Sequence, residues 1–269
     1  MAWWKAWSEA EGKSVTGALN FDPTPDAQTL YKAMKGLGTD EQAIIDVLTK
    51  RSNMQRQQIA KSFKGQFGKD LIESLRSELS GDFERLIVAL MYSPFKYDAK
   101  ELHDAMKGER DNATLYVDTA LALQDAETLY AAGEKIRGTD EIQFITILCT
   151  RSATHLLKVF EEYQKLAGKS IEDSIKSETH GSLEDAMLAI VKCTRNVHCY
   201  FAERLYHALK GAGTDDETLI RVIVSRSEVD LNLIKAEFKH IAGKSLSSMI
   251  LDDTSGDYKT ALLNLCGSD

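Results

Sequence analysis

Proline is scarce in this chain. Only Pro23, Pro25 and Pro94 occur in 269 residues, so long stretches are free to form helix without a break. No apolar run approaches the roughly eighteen residues that span a bilayer as a helix. The opening MAWWKAWSEAEGK has no apolar middle region of the kind a secretory signal carries. Basic charge is also short, with 33 Lys+Arg against 41 Asp+Glu and a net charge of -8. That field opposes nucleic-acid backbones and simple attraction to anionic lipid. The cysteines, Cys149, Cys193, Cys199 and Cys266, form no CxxC pair, and the six histidines are scattered, so a zinc site is not indicated. Alternating β-branched runs joined by Asn-Gly or Asp-Gly turns are absent, which argues against sheet. With 43% apolar and 28% charged residues, the expectation is a folded, cytosolic, all-α protein.

What is present is repetition. Lys35-Gly36-Leu37-Gly38-Thr39-Asp40 returns as Lys210-Gly211-Ala212-Gly213-Thr214-Asp215, and in altered form as Lys135-Ile136-Arg137-Gly138-Thr139-Asp140. The same landmarks follow each copy at fixed offsets. An Arg-Ser pair begins at Arg51, Arg151 and Arg226, and a Gly-Lys pair at Gly68, Gly168 and Gly243. Forty residues beyond Gly38, Gly138 and Gly213 stands an acid, Glu78, Glu178 and Asp253, and three further on a glycine, Gly81, Gly181 and Gly256. Within one copy, apolar residues at helical spacing and Gly, Ser and Thr punctuation divide the unit into five short helices. Thr39 is expected to cap the second and Ser52 the third.

A Gly-x-Gly-Thr-Asp turn alone is equally what simple helix punctuation would write. The recurring acid adds chemistry. Calcium accepts six to eight oxygens in irregular geometry and mixes backbone carbonyls with carboxylate and water. A glycine-rich turn exposes its carbonyls, and one carboxylate from another loop would complete the protein's share. The Asp-rich loop of an EF-hand is absent.

Lys-Gly-x-Gly-Thr-Asp with an acid forty residues beyond its second glycine, set in a five-helix unit of about seventy residues, resembles the annexin repeat over 26–96 and 125–269. The resemblance implies an array of five-helix repeats that binds anionic phospholipid of the phosphatidylserine type through calcium. It implies a cytoplasmic protein that becomes peripheral on membranes when calcium rises, with an anticoagulant or membrane-organising role. Carried over by position, it implies that the carbonyls of Met34, Gly36 and Gly38 act with Glu78, and those of Leu209, Gly211 and Gly213 with Asp253. The third loop resembles a form one residue longer, implying Gly133, Ile136 and Gly138 with Glu178.

An annexin core has four repeats, and here the second is expected to be largely lost. Lys100 to Gly108 reads as its first helix, but Glu109-Arg110-Asp111-Asn112 stands where the Gly-Thr turn belongs. The expected organisation is therefore a tail (1–25), repeat one (26–96), a remnant of repeat two with linker (97–124), repeat three (125–196) and repeat four (197–269). A shortened splice product would have this form. In the family, repeats two and three pack together, so the loss would expose an apolar face of repeat three and invite self-association. Trp3, Trp4 and Trp7 are expected to pack against the core rather than insert into lipid. Gly168-Lys169-Ser170 and Gly243-Lys244-Ser245 suggest a phosphate-binding loop only faintly, because Tyr163 and Phe238 occupy its first glycine position. No nucleophile and base follow a known catalytic order, so an enzyme is not expected. The competing reading is a calcium-independent helical scaffold that binds proteins.

Overall fold

The computed structural model describes residues 12–36, 38–92, 117–133, 140–211 and 213–268. Fourteen α-helices and no strand occur among the described residues. The first five are α1 (Pro23–Ala33), α2 (Glu41–Leu48), α3 (Asn53–Phe67), α4 (Leu71–Glu78) and α5 (Gly81–Met91). Next come α6 (Thr119–Gly133), α7 (Glu141–Thr150), α8 (Ala153–Ala167), α9 (Ile171–Glu178) and α10 (Ser182–Leu209). The last four are α11 (Asp216–Arg226), α12 (Leu231–Ala242), α13 (Leu246–Asp253) and α14 (Gly256–Cys266).

The long α10 is two helices joined at Asn196, whose backbone leaves the helical region (φ -159°, ψ 102°). The Asn196 side chain accepts from the N–H groups of His198 and Cys199 at 3.0 and 3.1 Å, capping the second half. With α10 so divided, each of the three units carries five helices. Two first helices start earlier than the sequence boundaries suggest. Asp22 caps α1 through Thr24 N–H, with Pro23 in the first turn where its absent N–H costs nothing. Asp118 accepts from the N–H groups of Ala120 and Leu121 ahead of α6. The third helix of repeat one opens with a capping box between Ser52 and Gln55, and Gly68, with φ 69°, ends it.

The chain divides into two compact units, one of residues 1–99 with 201–269 and one of residues 100–200. The core of the first joins repeats one and four: Ile45, Leu86 and Leu90 lie in one apolar cluster with Ile220, Leu262 and Leu265. Phe63 adds an edge-on contact to Phe67, which stacks on Tyr31 at 3.9 Å. The second unit has its own core around Leu129, Phe144, Phe160, Tyr163 and Val191. None of the described helices is long and apolar enough to cross a membrane.

The repeated Arg-Ser landmark has a structural role. Arg51 makes a fork of two bonds to Asp26 at 2.6 and 3.0 Å, and Arg151 makes the same fork to Asp125 at 2.6 and 2.9 Å. Each clasp pins the first helix of its repeat to the turn before the third. Repeat four has Phe201 where the acid would stand. There Arg226 lies over the Phe201 ring at 4.7 Å and pairs with Asp230 instead. Arg56 is 1% exposed. It donates to the carbonyls of Leu90, Leu48 and Arg51 and pairs with Glu228 of repeat four at 2.6 Å. Glu228 also accepts the Asn53 N–H at 2.7 Å, so one carboxylate fastens repeat four to the start of α3.

Candidate functional site

The glycines of the loops of repeats one and four match in φ. Gly36 and Gly211 have φ 127° and 128°, and Gly38 and Gly213 have φ 89° and 108°. Such values are open to glycine and strained for a residue with a Cβ. Each loop is closed by one bond across its neck, from Asp40 N–H to the Ala33 carbonyl and from Asp215 N–H to the Ala208 carbonyl, both 2.9 Å. In repeat three the matching bond runs from Asp140 to Ala132 at 2.9 Å. It spans one residue more than in the other two, as the longer third loop requires. Leu37, Ala212 and residues 134–139, including Ile136, Gly138 and Thr139, lie outside the described residues.

An aspartate caps the helix after each loop. Asp40, Asp140 and Asp215 accept from the N–H groups of Ala43, Gln143 and Thr218. The expected cap at Thr39 is thus displaced by one residue, because the carboxylate one position on reaches the third amide of the helix. The Thr218 N–H and side chain hold the Asp215 carboxyl below its usual range. The Thr39 hydroxyl is left to donate to Glu78 Oε2 at 3.1 Å. That bond brings the carboxylate thirty-nine residues away in sequence against the loop. Met34, Lys35, Gly36 and Glu78 line a common cleft of about 220 Å³ with Tyr31, Phe63 and Lys69.

The three acids occupy one structural position, the final residue of the fourth helix of each repeat: Glu78 ends α4, Glu178 ends α9 and Asp253 ends α13. In repeat three, a Cβ at buried Gly133 would sit 3.8 Å from Glu178 Cγ, so the end of α6 and this acid are adjacent. Leu209 is buried at the end of α10, whereas Gly211, Gly213 and Asp253 are exposed. Sequence reasoning overlooked the lysines at the mouths of loops one and four. Lys35 lies over the Tyr31 ring at 5.6 Å and Lys210 over Tyr206 at 5.1 Å. Tyr31 and Tyr206, each four residues before its lysine, were the available signal.

The groups such a loop can offer a cation are hard oxygens, the carbonyls of the turn and one carboxylate. No group of three or more His, Cys, Asp or Glu is placed to hold a metal ion among the described residues. The arrangement suits a cation that takes carbonyl and water ligands in irregular number, as calcium does, and not one that demands nitrogen, sulfur or a strict octahedron.

The annexin family model matches three segments, residues 25–90, 124–190 and 200–265. The chain belongs to the annexin family. It is 64% identical to human annexin A8-like protein 1 and 64% identical to bovine annexin A8, each alignment covering all of both chains. Those alignments run over 326 positions against 269 residues here, leaving 57 positions with no counterpart in this chain. Among solved structures, a point mutant of annexin A8 with an intact N-terminus matches with TM-score 0.87 and 63% identity, over 96% of this chain and 98% of that one. A calcium-bound annexin, annexin (Sm)1, matches with TM-score 0.78 and 28% identity, over 95% and 93%. Annexins bind phospholipid in a calcium-dependent way and are not enzymes.

Proposed function

We propose that this annexin binds anionic phospholipid through calcium held in three loops. The first site uses the carbonyls of Met34, Gly36 and Gly38 with Glu78. The fourth-repeat site uses Leu209, Gly211 and Gly213 with Asp253. The third-repeat site uses Gly133, Ile136 and Gly138 with Glu178. The observation that carries the reading is the match between loops one and four in φ and in neck closure, with Glu78 tied to the first loop by Thr39. When bound, the ion supplies positive charge and open coordination positions for a lipid phosphate oxygen. Lys35 and Lys210 stand beside the loops as a second attraction for the same headgroups.

The preferred partner is a phosphatidylserine-type membrane, with the protein cytoplasmic and peripheral when calcium rises. Covering such lipid would give an anticoagulant or membrane-organising effect, a role supported by family resemblance alone. The 57 positions without a counterpart and the gap between the first two family matches support a chain shortened within its second repeat, as by splicing. Self-association through the third repeat follows from that shortening and is developed below.

The test is co-sedimentation with phosphatidylserine vesicles, with calcium and with chelator. Binding should appear with calcium, reverse on chelation and be lost when Glu78, Glu178 and Asp253 are together changed to Gln. Calcium-driven sedimentation that survives the triple change would refute the site assignment. Equal binding in chelator would favour the calcium-independent scaffold.

A further inference from the structure

Repeats one and four cover each other with the same two helices on both sides. The second helix of repeat four, α11, packs on the fifth helix of repeat one, α5, and the reverse contact joins α14 to α2; the fifth helices also meet each other. This reciprocity is what an isologous interface has: one kind of surface pairing with its own kind. At its centre, Ile45 and Ile220 are 0% and 3% exposed, Leu86 and Ala261 are both 0%, and Leu90 and Leu265 are both 0%.

Repeat three keeps apolar residues at the matching positions, counted from the loop glycine, but among the described residues they lack that cover. Ile145, which matches Ile45 and Ile220, is 41% exposed. Ala186, which matches Leu86 and Ala261, is exposed, and Ile190, which matches Leu90 and Leu265, is half-buried. Cys149 is exposed where Thr49 is 1% exposed. Ile142, beside this surface on α7, is 71% exposed. The helices themselves are well formed and backed by their own core, so the uncovered face is a finished surface without its partner.

We propose that a second copy of this chain covers that face. Helix α7 and the first half of α10 of each copy pack on the same helices of the other about a two-fold axis, as α2 and α5 pack on α11 and α14 within the chain. The surface is built to meet another repeat's second and fifth helices, and the repeat that would supply them is not among the three the family model finds. A second copy carries the same surface, oriented to pair reciprocally.

The rim sets the strength. Between repeats one and four, Asp82 and Arg85 lie close enough to Asp216 to act on its charge, Arg85 favourably. In repeat three, Glu141 stands at the Asp216 position and Asp185 at the Arg85 position. A two-fold pairing therefore sets Asp185 toward the partner's Glu141 twice, acid against acid. The dimer is weakened by this and is strengthened by salt, which screens exposed like charges.

The inference rests on the shortened second repeat and not on the calcium loops, so it is tested without lipid and in chelator. Sedimentation velocity on the full chain over a concentration series should show a monomer–dimer equilibrium that shifts toward dimer with added salt. Asp185→Arg, which restores the charge pattern of the covered interface at two symmetry-related places, should tighten the dimer by about tenfold. Ile145→Glu should give a monomer with unchanged far-ultraviolet circular dichroism. A gain from Asp185→Arg cannot arise from damage to the fold, which keeps the proposal open to refutation even if Ile145→Glu unfolds. A monomer at every concentration, in the wild type and in Asp185→Arg alike, would overturn it. Open-ended aggregation without a dimer, or a dimer indifferent to both changes, would overturn it as well.

Discussion

Alanine at Gly36 tests the first loop through its backbone alone. At φ 127° the residue lies beyond even the small left-handed region near +57°. Holding a residue with a Cβ there costs on the order of 1–3 kcal/mol. A Cβ at this position would meet nothing within 4 Å, so collision adds nothing and the cost is conformational. It can surface in two ways. If the variant keeps the loop shape, stability falls, by roughly 2–4 °C in melting temperature per kcal/mol for a chain near this size. If the loop relaxes, stability is kept and calcium must restore the shape, weakening affinity about tenfold per 1.4 kcal/mol. The two losses together should therefore equal the strain. The experiment uses a background of Glu178→Gln and Asp253→Gln, leaving only the first site, with thermal melting in chelator and calcium titration on phosphatidylserine vesicles. Gly68→Ala, at φ 69° and also in open space, is the control. It should lose about 1–2 kcal/mol of stability with no change in calcium affinity. If Gly36→Ala matches its parent in both measurements, the loop geometry is not what binds calcium.

Three further outcomes follow from the contacts. Glu228→Ala strands the buried Arg56 guanidinium and should cost about 3 kcal/mol in denaturant unfolding, whereas Arg56→Met with Glu228→Leu should recover most of it; a negligible single-site loss would refute the fastening role. Thr39→Val removes the hydroxyl on Glu78, worth about 1 kcal/mol, and should weaken calcium at the first site roughly fivefold while α2 keeps its Asp40 cap. A melting-temperature loss with unchanged affinity would mean that Thr39 serves the fold instead. Burial pushes the Asp125 carboxyl up, but bonds from Arg151 and His155 outweigh it and hold it below the ordinary value of 3.8. A carboxyl depressed in the folded state contributes stability that is full above its unfolded pKa and fades as pH falls through its folded one. Asp125→Asn should accordingly cost stability at neutral pH and flatten the acid limb below about pH 4; an unaltered limb would refute the clasp's contribution.

The repeat and its five helices were legible because local signals agreed with one another: glycine at helix ends, serine and aspartate at starts, apolar residues at helical spacing. The fixed distance from loop glycine to acid was legible as a count. What the count could not supply was the partner of each side chain. Arg51 and Arg151 recur with the motif, yet their acids, Asp26 and Asp125, lie in the first helix of the repeat, before the glycine loop, so only folding reveals the clasp. Glu228 likewise sits 172 residues from Arg56, in a position no repeat pattern marks. The capping role went to Asp40 instead of Thr39 because two adjacent residues both had suitable oxygens, and geometry chose between them. Nor could the pattern distinguish a covered face from an uncovered one: Ile45 and Ile145 read alike in sequence, yet one is buried and the other 41% exposed.

The low carboxylate count of each proposed loop explains how a chain of net charge -8 could approach an acidic membrane. A cage of several carboxylates, as in an EF-hand, cancels or exceeds the charge of its calcium and leaves nothing positive to offer. One carboxylate and a set of neutral carbonyls leave a bound divalent ion with about one unit of positive charge, together with coordination positions that water fills only loosely. The same economy makes calcium weak in solution, because affinity rises with the number of charged ligands. Phosphate oxygen from the lipid would supply the missing negative charge, so ion and membrane bind cooperatively and each is weak without the other. Adding a second acid at such a loop would therefore tighten calcium in solution while loosening the grip on lipid, a reversal that a protein-only calcium site would not show.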